Sequence, residues 1–270
     1  MGEVMEDSMF RKKILFAVII SVLLMAGFTG CKKHVKAAVF TYEENDEGCV
    51  IITGLTDKGR EDVKLTIPEK LDGKTVKGIG SGAFRDDVRV TEVVISDGVE
   101  YIAENVFLNC YNLKTISIPS TVTSVGTNAF TDTQWEYDML ENSEEIIVND
   151  ILCKVKKTEG TYAIPEGVRV IASGVFYNKS SLTDIKIPAT VETIGAYAFS
   201  GCTELNKVVL PTGLKRIEYG AFANTGMKDI IVPSGVEYIG NEAFLGAESI
   251  SYSGNAQGSP WGAESNTLSK

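Results

Sequence analysis

Apolar residues recur along most of this chain in a fixed pattern that ends on an Ala-Phe pair. In Ile185–Phe199, IKIPATVETIGAYAF, an alternating apolar triplet precedes a proline, and Val191 and Ile194 follow. The closing aromatic of each copy stands at Phe84, Phe107, Phe130, Phe176, Phe199, Phe222 and Phe244. Successive gaps are 23, 23, 46, 23, 23 and 22 residues, and 46 is two periods of 23. A period of this length predicts a solenoid, in which each coil contacts only its neighbours.

Each repeat is expected to fold as one coil made of a strand and a turn. Ile185 and Ile187 alternate and therefore share one face of a strand, which Pro188 ends because proline lacks an N–H. Gly195 is expected to allow a tight bend, and Phe199 to fill the coil interior. Because coils stack on one another, the corresponding Phe side chains are predicted to form one ladder along the solenoid.

One copy of the pattern is missing between Phe130 and Phe176. Residues 145–155 are two apolar, β-rich runs on either side of an Asn-Asp pair, which predicts a hairpin with a two-residue turn. Cys153 lies 23 residues from each of the two flanking phenylalanines. It is therefore a candidate to replace the missing ladder side chain.

The segment Thr131–Asn142, just before this hairpin, is rich in acids and amides and is expected to be a loop leaving the regular surface. Trp135 and Tyr137 would then be exposed, and these residue types are favoured anchors at interfaces. Residues 131–160 are accordingly either a variant repeat or an insert that recognises a partner.

The solenoid is expected to span residues 63–248, with a cap at each end. Two β-rich runs around Glu43–Gly48 predict a hairpin within residues 39–62, which would cover the first coil and its open strand edges. At the other end, Ile250-Ser251-Tyr252 predicts a last short strand within a C-terminal cap and tail of residues 249–270.

Residues 1–30 have the composition of an export signal. Three consecutive basic residues precede the apolar run Ile14–Phe28, which is shorter than the roughly 20 residues a spanning helix needs. The run ends in Phe-Thr-Gly-Cys, which resembles the lipobox of bacterial lipoproteins and implies cleavage before Cys31 and lipid attachment to its thiol. Residues 31–38 would then be a short tether to the membrane. An uncleaved membrane anchor is the alternative.

The repeats resemble the BspA-type leucine-rich repeats of bacterial surface proteins, whose unit reads L-x-x-I-x-I-P-x-x-V-x-x-I-G-x-x-A-F. The match runs from about Leu65 to Phe244 in seven recognisable copies. The resemblance implies an α/β solenoid that is right-handed and strand-dominated, with short helical or irregular turns. It also implies a surface or secreted location. Members of the family are described as adhesins that bind host matrix proteins.

Composition disfavours several classes of function. The net charge is −10, and an acidic body disfavours nucleic-acid binding. The only histidine is His34, which disfavours Ser-His-Asp catalysis and zinc sites of histidine and cysteine, so no cofactor and no metal is predicted. Cys110 and Cys202 are 92 residues apart, or four periods. Four coils span about 19 Å, too far for a disulfide, so both are predicted to be buried corner residues.

Side chains at the outward strand positions form two rows along the predicted solenoid. The first row contains Glu92, Thr115, Thr161, Asp184, Lys207 and Asp229, and the second contains Val94, Ser117, Ala163, Lys186, Val209 and Ile231. The second row is partly apolar, which would suit a partner, although plain β-propensity explains it equally well. With Trp135 and Tyr137, these rows are the candidate binding surface.

Three functions remain open on these grounds. The first is a lipid-anchored, non-enzymatic and monomeric binding module of the bacterial envelope that recognises a protein or glycan of a host or neighbouring cell. The second is a solenoid enzyme acting on polysaccharides, because carboxylates are plentiful although no pair stands out. The third is a structural spacer without a ligand of its own.

Overall fold

The computed structural model describes residues 35–36 and 39–256, all within the compact unit His34–Lys270. The export signal predicted at residues 1–30 and the lipidation site Cys31 lie outside the described residues. The described chain is a strand-dominated solenoid of about nine turns, with a repeat of about 23 residues and little helix. This architecture confirms the fold class predicted from the repeat.

Twenty short strands and one α-helix make up the regular structure of the described residues. In the first half the strands are β1 (Val35–Lys36), β2 (Phe40–Glu44), β3 (Val50–Leu55), β4 (Lys64–Ile67), β5 (Lys70–Leu71), β6 (Lys74–Ile79), β7 (Glu92–Ile95), β8 (Tyr101–Ile102), β9 (Thr115–Ser117) and β10 (Ser124–Val125). A short 3-10 helix occupies Gly59–Glu61, and helix α1 spans Gln134–Asn142. The second half contains β11 (Glu145–Val148), β12 (Ile151–Val155), β13 (Gly160–Ala163), β14 (Val170–Ile171), β15 (Leu182–Lys186), β16 (Thr193–Ile194), β17 (Arg216–Ile217), β18 (Asp229–Val232), β19 (Tyr238–Ile239) and β20 (Ser249–Tyr252).

The N-terminal cap is the predicted hairpin. Strands β2 and β3 pair antiparallel, and β3 then pairs parallel with β6, so the cap joins the solenoid sheet directly. Strand β1 pairs antiparallel with β2. Its residues, Val35–Lys36, fall within the stretch 31–38 that is predicted to be a tether, so two residues of that stretch pair with the cap.

Each regular coil contributes strands to two faces of the solenoid. The strands at the first apolar run of the repeat, which a proline follows in most copies, pair in parallel as β4–β7–β9, β13–β15 and β18–β20. The shorter strands at the second apolar pair of the repeat form the rows β3–β6–β8–β10 and β12–β14–β16–β17–β19. Parallel pairing in register brings the same repeat position of successive coils side by side. Position within the repeat therefore decides which face a side chain occupies.

The closing phenylalanines stack in the interior, but in two ladders rather than the single one predicted. Phe84, Phe107 and Phe130 form the first, with ring centroids 5.4 and 6.1 Å apart. The second contains Phe176, Phe199, Phe222 and Phe244, with centroids 5.0 to 5.8 Å apart and ring planes within 12° of parallel. At the break, Phe130 meets Trp135 edge-on at 5.0 Å, and Phe176 meets Tyr162 at 5.6 Å.

Cys153 does not replace the missing Phe. Leu152 pairs with Ile171, so Cys153 lies beside Ala172, four residues before the position of Phe176. The count of 23 failed because β12 enters the stack after an antiparallel hairpin with β11, which shifts the register of the strand. The variant repeat thus supplies a strand to the second face, where Ala172 donates its N–H to the Leu152 carbonyl at 2.9 Å.

The segment predicted to be a loop contains helix α1. Thr133 caps the helix, because its hydroxyl accepts a hydrogen bond from the Glu136 N–H at 3.0 Å. Glu136 is 6% exposed, accepts a hydrogen bond from the Asp132 N–H and pairs with Lys154 at 3.0 Å. The backbone N–H of Trp135 donates to the Leu113 carbonyl at 2.7 Å, which fixes the helix against the preceding coil. The helix therefore belongs to the solenoid wall.

Two left-handed backbone positions bracket every closing Phe. Two residues before the aromatic they are Gly82, Asn105, Asn128, Gly174, Tyr197, Gly220 and Glu242, and two residues after it they are Asp86, Asn109, Asp132, Asn178, Gly201, Asn224 and Gly246. Glycine, asparagine and aspartate tolerate this conformation best, which explains their recurrence. Only Tyr197 and Glu242 depart from that set.

The glycine of the Ile-Gly step has a different role from the one expected. Gly195 lies outside the left-handed region, so it is not needed for a bend. A Cβ built on it would lie 2.7 Å from the Ala172 carbonyl carbon and the Ser173 nitrogen. Gly240 meets the backbone of Tyr219 in the same way, at 2.4 Å. These glycines therefore allow neighbouring coils to approach each other.

Cys110 and Cys202 are buried free thiols at equivalent corners, as predicted. Each thiol donates to a carbonyl of the preceding coil, Cys110 to Phe84 at 3.0 Å and Cys202 to Phe176 at 3.1 Å. Burial raises the pKa of Cys110 to about 12 and that of Cys202 to about 11. Both thiols therefore remain protonated at physiological pH.

Candidate functional site

The two predicted outer rows do point to solvent. Strand pairing places Thr115 beside Glu92 and Ser117 beside Val94, with the apolar residues between them turned inward. Exposure is high for Val94, Thr115, Ser117, Thr161, Ala163, Asp184, Lys186, Lys207, Val209, Asp229 and Ile231, and Glu92 is half-buried. Because side chains alternate along a strand, the period of two was sufficient to assign these faces.

The rows are not continuous along the molecule. Helix α1 and β11 occupy the coil between Ser117 and Ala163, so the rows fall into an N-terminal and a C-terminal part. Lys207 and Val209 were expected on a strand but lie in a segment without regular strand pairing between β15 and β18. Their side chains are nevertheless exposed, so their outward assignment is correct.

The most exposed apolar side chains of the outer rows lie in the C-terminal part. Val209 is 71% and Ile231 is 77% exposed, compared with 37% for Val94. The two occupy the same repeat position in successive coils, 22 residues apart. Their neighbours in the other row, Lys207 and Asp229, are charged. The C-terminal part of the outer rows therefore contains a small apolar surface with charged side chains beside it.

Trp135 is not the exposed anchor that was predicted. Its ring is partly buried, and it packs edge-on against Phe130 in the hydrophobic core. Tyr137, one residue beyond Glu136, is 54% exposed and donates its hydroxyl to Asp132 at 3.0 Å. A helix turns by about 100° per residue, so Trp135 and Tyr137, two positions apart, point to opposite sides of it. Only Tyr137 remains a candidate surface residue.

A second surface feature, not foreseen from the sequence, lies on the turn side of the coils. Tyr177, Tyr197 and Tyr219, which we call the tyrosine strip, come from three successive coils. The ring centroids of Tyr177 and Tyr197 are 6.3 Å apart, those of Tyr197 and Tyr219 are 5.1 Å apart, and the planes meet at 74° and 70°. Tyr177 is 49% exposed, and the other two are half-buried.

Acidic side chains border the tyrosine strip. The Tyr219 hydroxyl donates to the exposed Glu242 carboxylate at 2.5 Å, and this hydrogen bond is the main reason that the pKa of Tyr219 is raised. Burial raises the pKa of Tyr197, and the charges of Glu242 and Glu104 raise it further. The strip therefore combines aromatic faces with negative charge.

The central residue of the strip has an unfavourable backbone. Tyr197 has φ 55°, at a position where five of the seven coils carry glycine or asparagine. A left-handed conformation costs a residue with a side chain roughly 1–2 kcal/mol. Gly220 of the next coil makes room for the ring, because a Cβ there would lie 2.8 Å from it. A sequence signal existed, since tyrosine at a position of asparagine and glycine breaks the pattern.

The neighbouring face shows how this chain already binds a cation. The Arg216 guanidinium lies 4.3 Å from the centroid of the Tyr238 ring and donates two hydrogen bonds to the Glu218 carboxylate. Cation–π contact and a charge-assisted hydrogen bond act together here. A tyrosine face next to a glutamate is thus a guanidinium site within the molecule itself.

The part of the chain that the structure describes contains neither a metal-binding cluster nor a membrane-spanning helix. No group of three histidine, cysteine or acidic residues is arranged to hold a metal ion within residues 39–256. In the same residues, the helices are too short and too polar to cross a bilayer. His34 lies outside the described residues.

Comparison with known proteins gives one family and several similar folds. The sequence matches the model of the BspA type leucine rich repeat region in six copies, over residues 77–178 and 169–253. No curated protein matches it. The leucine-rich repeat protein of T. pallidum is 24% identical, over 82% of this chain and 86% of its own, with a TM-score of 0.39.

Two further solved structures are similar. A leucine-rich cell surface protein from Faecalibacterium prausnitzii is 18% identical, over 83% of this chain and 89% of its own, with a TM-score of 0.36. The pneumococcal vaccine antigen PcpA is 16% identical, over 89% of each chain, with a TM-score of 0.35.

Proposed function

This chain belongs to the family of BspA type leucine-rich repeat proteins, and from that membership we propose that it is a non-enzymatic binding module of the bacterial cell surface. It recognises a protein or glycan of a host or neighbouring cell through its outer rows. The observation that carries the proposal is the exposed apolar pair Val209 and Ile231, at 71% and 77%. Exposed apolar side chains with a polar border are typical of interaction sites.

The chemistry of the chain supports binding rather than catalysis. Its single histidine, His34, precedes the solenoid, and the outer rows present hydroxyls, carboxylates, amines and methyl groups. Such mixed surfaces bind partners through complementarity of shape and charge.

A binding experiment tests the role of the outer rows. The full chain is measured by surface plasmon resonance against immobilised host matrix proteins and bacterial and host glycans. Replacing both Val209 and Ile231 by serine is expected to abolish the binding that the wild-type chain shows. The matched control replaces Val63 and Val88, which are 50% and 48% exposed outside the rows. Equal loss in both double variants would contradict the assignment.

Membrane attachment through Cys31 completes the proposed function. Two acyl chains would hold the solenoid at the envelope, since stable anchoring takes two membrane signals. In cells fed labelled palmitate, the wild-type chain is expected to incorporate label, and Cys31→Ser to lose both label and membrane fractionation. Membrane retention of the unlabelled Cys31→Ser variant would instead indicate an uncleaved anchor.

A further inference from the structure

We propose that the tyrosine strip formed by Tyr177, Tyr197 and Tyr219, with Glu242, is a docking site for arginine side chains of a basic segment in a partner protein. This site is separate from the outer rows and takes a partner of defined chemistry. It rests on the proposed function only in that the chain must bind a protein. It uses a different face from Val209 and Ile231, so the two can fail separately.

The geometry of the strip suits a flat cation. Adjacent rings meet at 70° and 74°, so the face of one ring lies next to the edge of another and forms a corner. Guanidinium and ammonium groups bind ring faces within about 6 Å of the centroid, and aromatic corners are used to bind ammonium ligands. Within residues 39–256, the cation–π contact of Arg216 is with Tyr238 and not with any of these three rings. The exposed parts of the three rings, largest at Tyr177, are where an external cation would bind.

Charge supports the same assignment. The exposed carboxylate of Glu242 lies at the end of the strip, where it receives the Tyr219 hydroxyl. The whole chain carries a net charge of −10, which attracts basic partners and repels acidic ones. Arginine is favoured over lysine, because its planar group stacks on rings and donates to a carboxylate at the same time.

The chain provides an internal model of the complex. Arg216 lies over Tyr238 and donates to Glu218, which combines a tyrosine face, a carboxylate and a guanidinium. The strip presents the first two of these groups without the third. An arginine from the partner thus binds Tyr197 or Tyr219 as Arg216 binds Tyr238.

The backbone of Tyr197 is the second, independent observation. Asn105 and Asn128 occupy the same repeat position with φ 57° and 55°, so a small residue serves the fold there. Residues held in unfavourable backbone conformations cluster at functional sites. Tyrosine at this position adds an aromatic ring to the surface but forces the backbone into an unfavourable conformation.

The test measures binding of a fluorescent oligo-arginine peptide to the full chain in detergent at physiological ionic strength. Tyr197→Asn is expected to weaken binding about tenfold, the range of one lost cation–π contact at a partly buried site. Its thermal midpoint is expected to stay the same or rise. Tyr197→Phe is expected to keep binding, because it keeps the ring face.

Controls separate the strip from the general negative charge of the chain. Tyr111→Asn changes a tyrosine that is 54% exposed elsewhere and is expected to leave binding unchanged. None of these tyrosine variants alters the net charge. Should Tyr197→Asn disturb folding, Tyr177→Asn tests the same strip at a more exposed ring.

Three outcomes would overturn the proposal. The first is equal affinity of the Tyr197→Asn and Tyr111→Asn variants, which would assign binding to bulk charge. The second is equal affinity for oligo-arginine and oligo-lysine. The third is binding of neutral oligosaccharides that Tyr197→Asn abolishes, which would make the strip a glycan site. Loss of binding in the Val209 and Ile231 double variant leaves the strip unaffected and concerns the proposed function alone.

Discussion

The regular coil around Phe199 and the variant repeat of residues 131–160 fill the same kind of space by different means. Phe199 is fully buried between two parallel rings, at 5.0 and 5.1 Å. The variant repeat has no such ring between two others. Its place is taken by a capped helix, the edge of Trp135 and the Glu136–Lys154 ion pair. A regular coil is thus stabilised by repetition, whereas the variant repeat depends on contacts that occur once.

The two regions differ in how their stabilising contacts are distributed along the chain. Loss of one ring in a regular ladder affects the two coils on either side, because each coil contacts its neighbours. Loss of a contact in the variant repeat affects the connection between the two ladders. Substitutions at matched positions can therefore measure each region separately.

The largest effect is expected for Phe199→Ala, which removes a ring stacked on both sides. It should lower the free energy of unfolding by about 3–5 kcal/mol. Phe130→Ala should cost about 1 kcal/mol less, because Phe130 stacks in parallel on one side only. Urea denaturation followed by circular dichroism measures both, with the 40% exposed Leu245→Ala as control. Equal losses for the two phenylalanines would contradict the distinction between the regions.

Trp135→Ala is expected to cost about 2 kcal/mol, below the range for a fully buried aromatic. This ring covers the end of the first ladder, so its removal should also expose the variant repeat. Alkylation of Cys153 at native conditions should accelerate, while that of Cys202 should not. Tyr137→Ala is the matched control, because Tyr137 is 54% exposed. A Trp135→Ala protein as stable as this control would show that residues 131–142 are dispensable for folding.

Thr133 and Thr225 allow a comparison at one repeat position, since they are 92 residues apart. Both hydroxyls donate to the carbonyl of a ladder Phe, but only that of Thr133 also accepts the N–H of Glu136. Thr133→Ala should cost about 1 kcal/mol for the lost helix cap, and Thr225→Ala about 0.5 kcal/mol. Thermal unfolding by calorimetry measures both. Identical costs would mean that the cap does not stabilise the variant repeat.

The smallest effect concerns ion pairs between coils. Arg169 and Glu192 pair at 2.8 Å with side chains 57% and 46% exposed, so their coupling should be about 0.3 kcal/mol and vanish in high salt. Glu136 is nearly buried beside Lys154, and this pair should keep part of its coupling in high salt. Double-mutant cycles at low and high salt measure both couplings. A salt-insensitive Arg169–Glu192 pair would remove this difference between the regions.

Regular coils could be predicted from the sequence because position within the repeat determines environment. Ile185 and Phe199 are buried, whereas Asp184 and Lys186 are exposed, as alternation and period require. The role of Gly195 was misjudged, since glycine is used both for left-handed turns and for close approach, and the sequence does not distinguish these uses.

The variant repeat could be predicted only in part. The hairpin of β11 and β12 was visible in its alternating residues, but its register was not, because counting in steps of 23 assumes that no coil gains or loses residues. Helix α1 had a signal in the Thr133-x-x-Glu136 capping pattern. The acids and amides around this pattern favoured a loop instead. Whether Glu136 and Trp135 are buried depends on Lys154 and Phe130, which lie outside the helix.

The tyrosine strip required the structure, because its rings come from three different positions of the repeat, and Tyr177 lies one residue after its phenylalanine. Tyr197 lies two residues before its phenylalanine and Tyr219 three residues before the next one. A periodic alignment assigns them to separate rows, and only the side-chain directions bring them together at 5.1 Å.

The close approach of coils at Gly195 has a consequence for how such a chain can change in length over evolution. Neighbouring coils of the second ladder meet through the same backbone hydrogen bond, from the N–H of Gly195, Glu218 or Gly240 to an isoleucine carbonyl of the preceding coil. Their rings also lie at nearly the same separation, 5.0 to 5.8 Å. Duplication or loss of one whole repeat within this part would therefore join surfaces that already fit. The unique contacts of Trp135 and Glu136 allow no such exchange, so recombination is expected to lengthen or shorten the array on either side of the variant repeat while preserving it as a single copy.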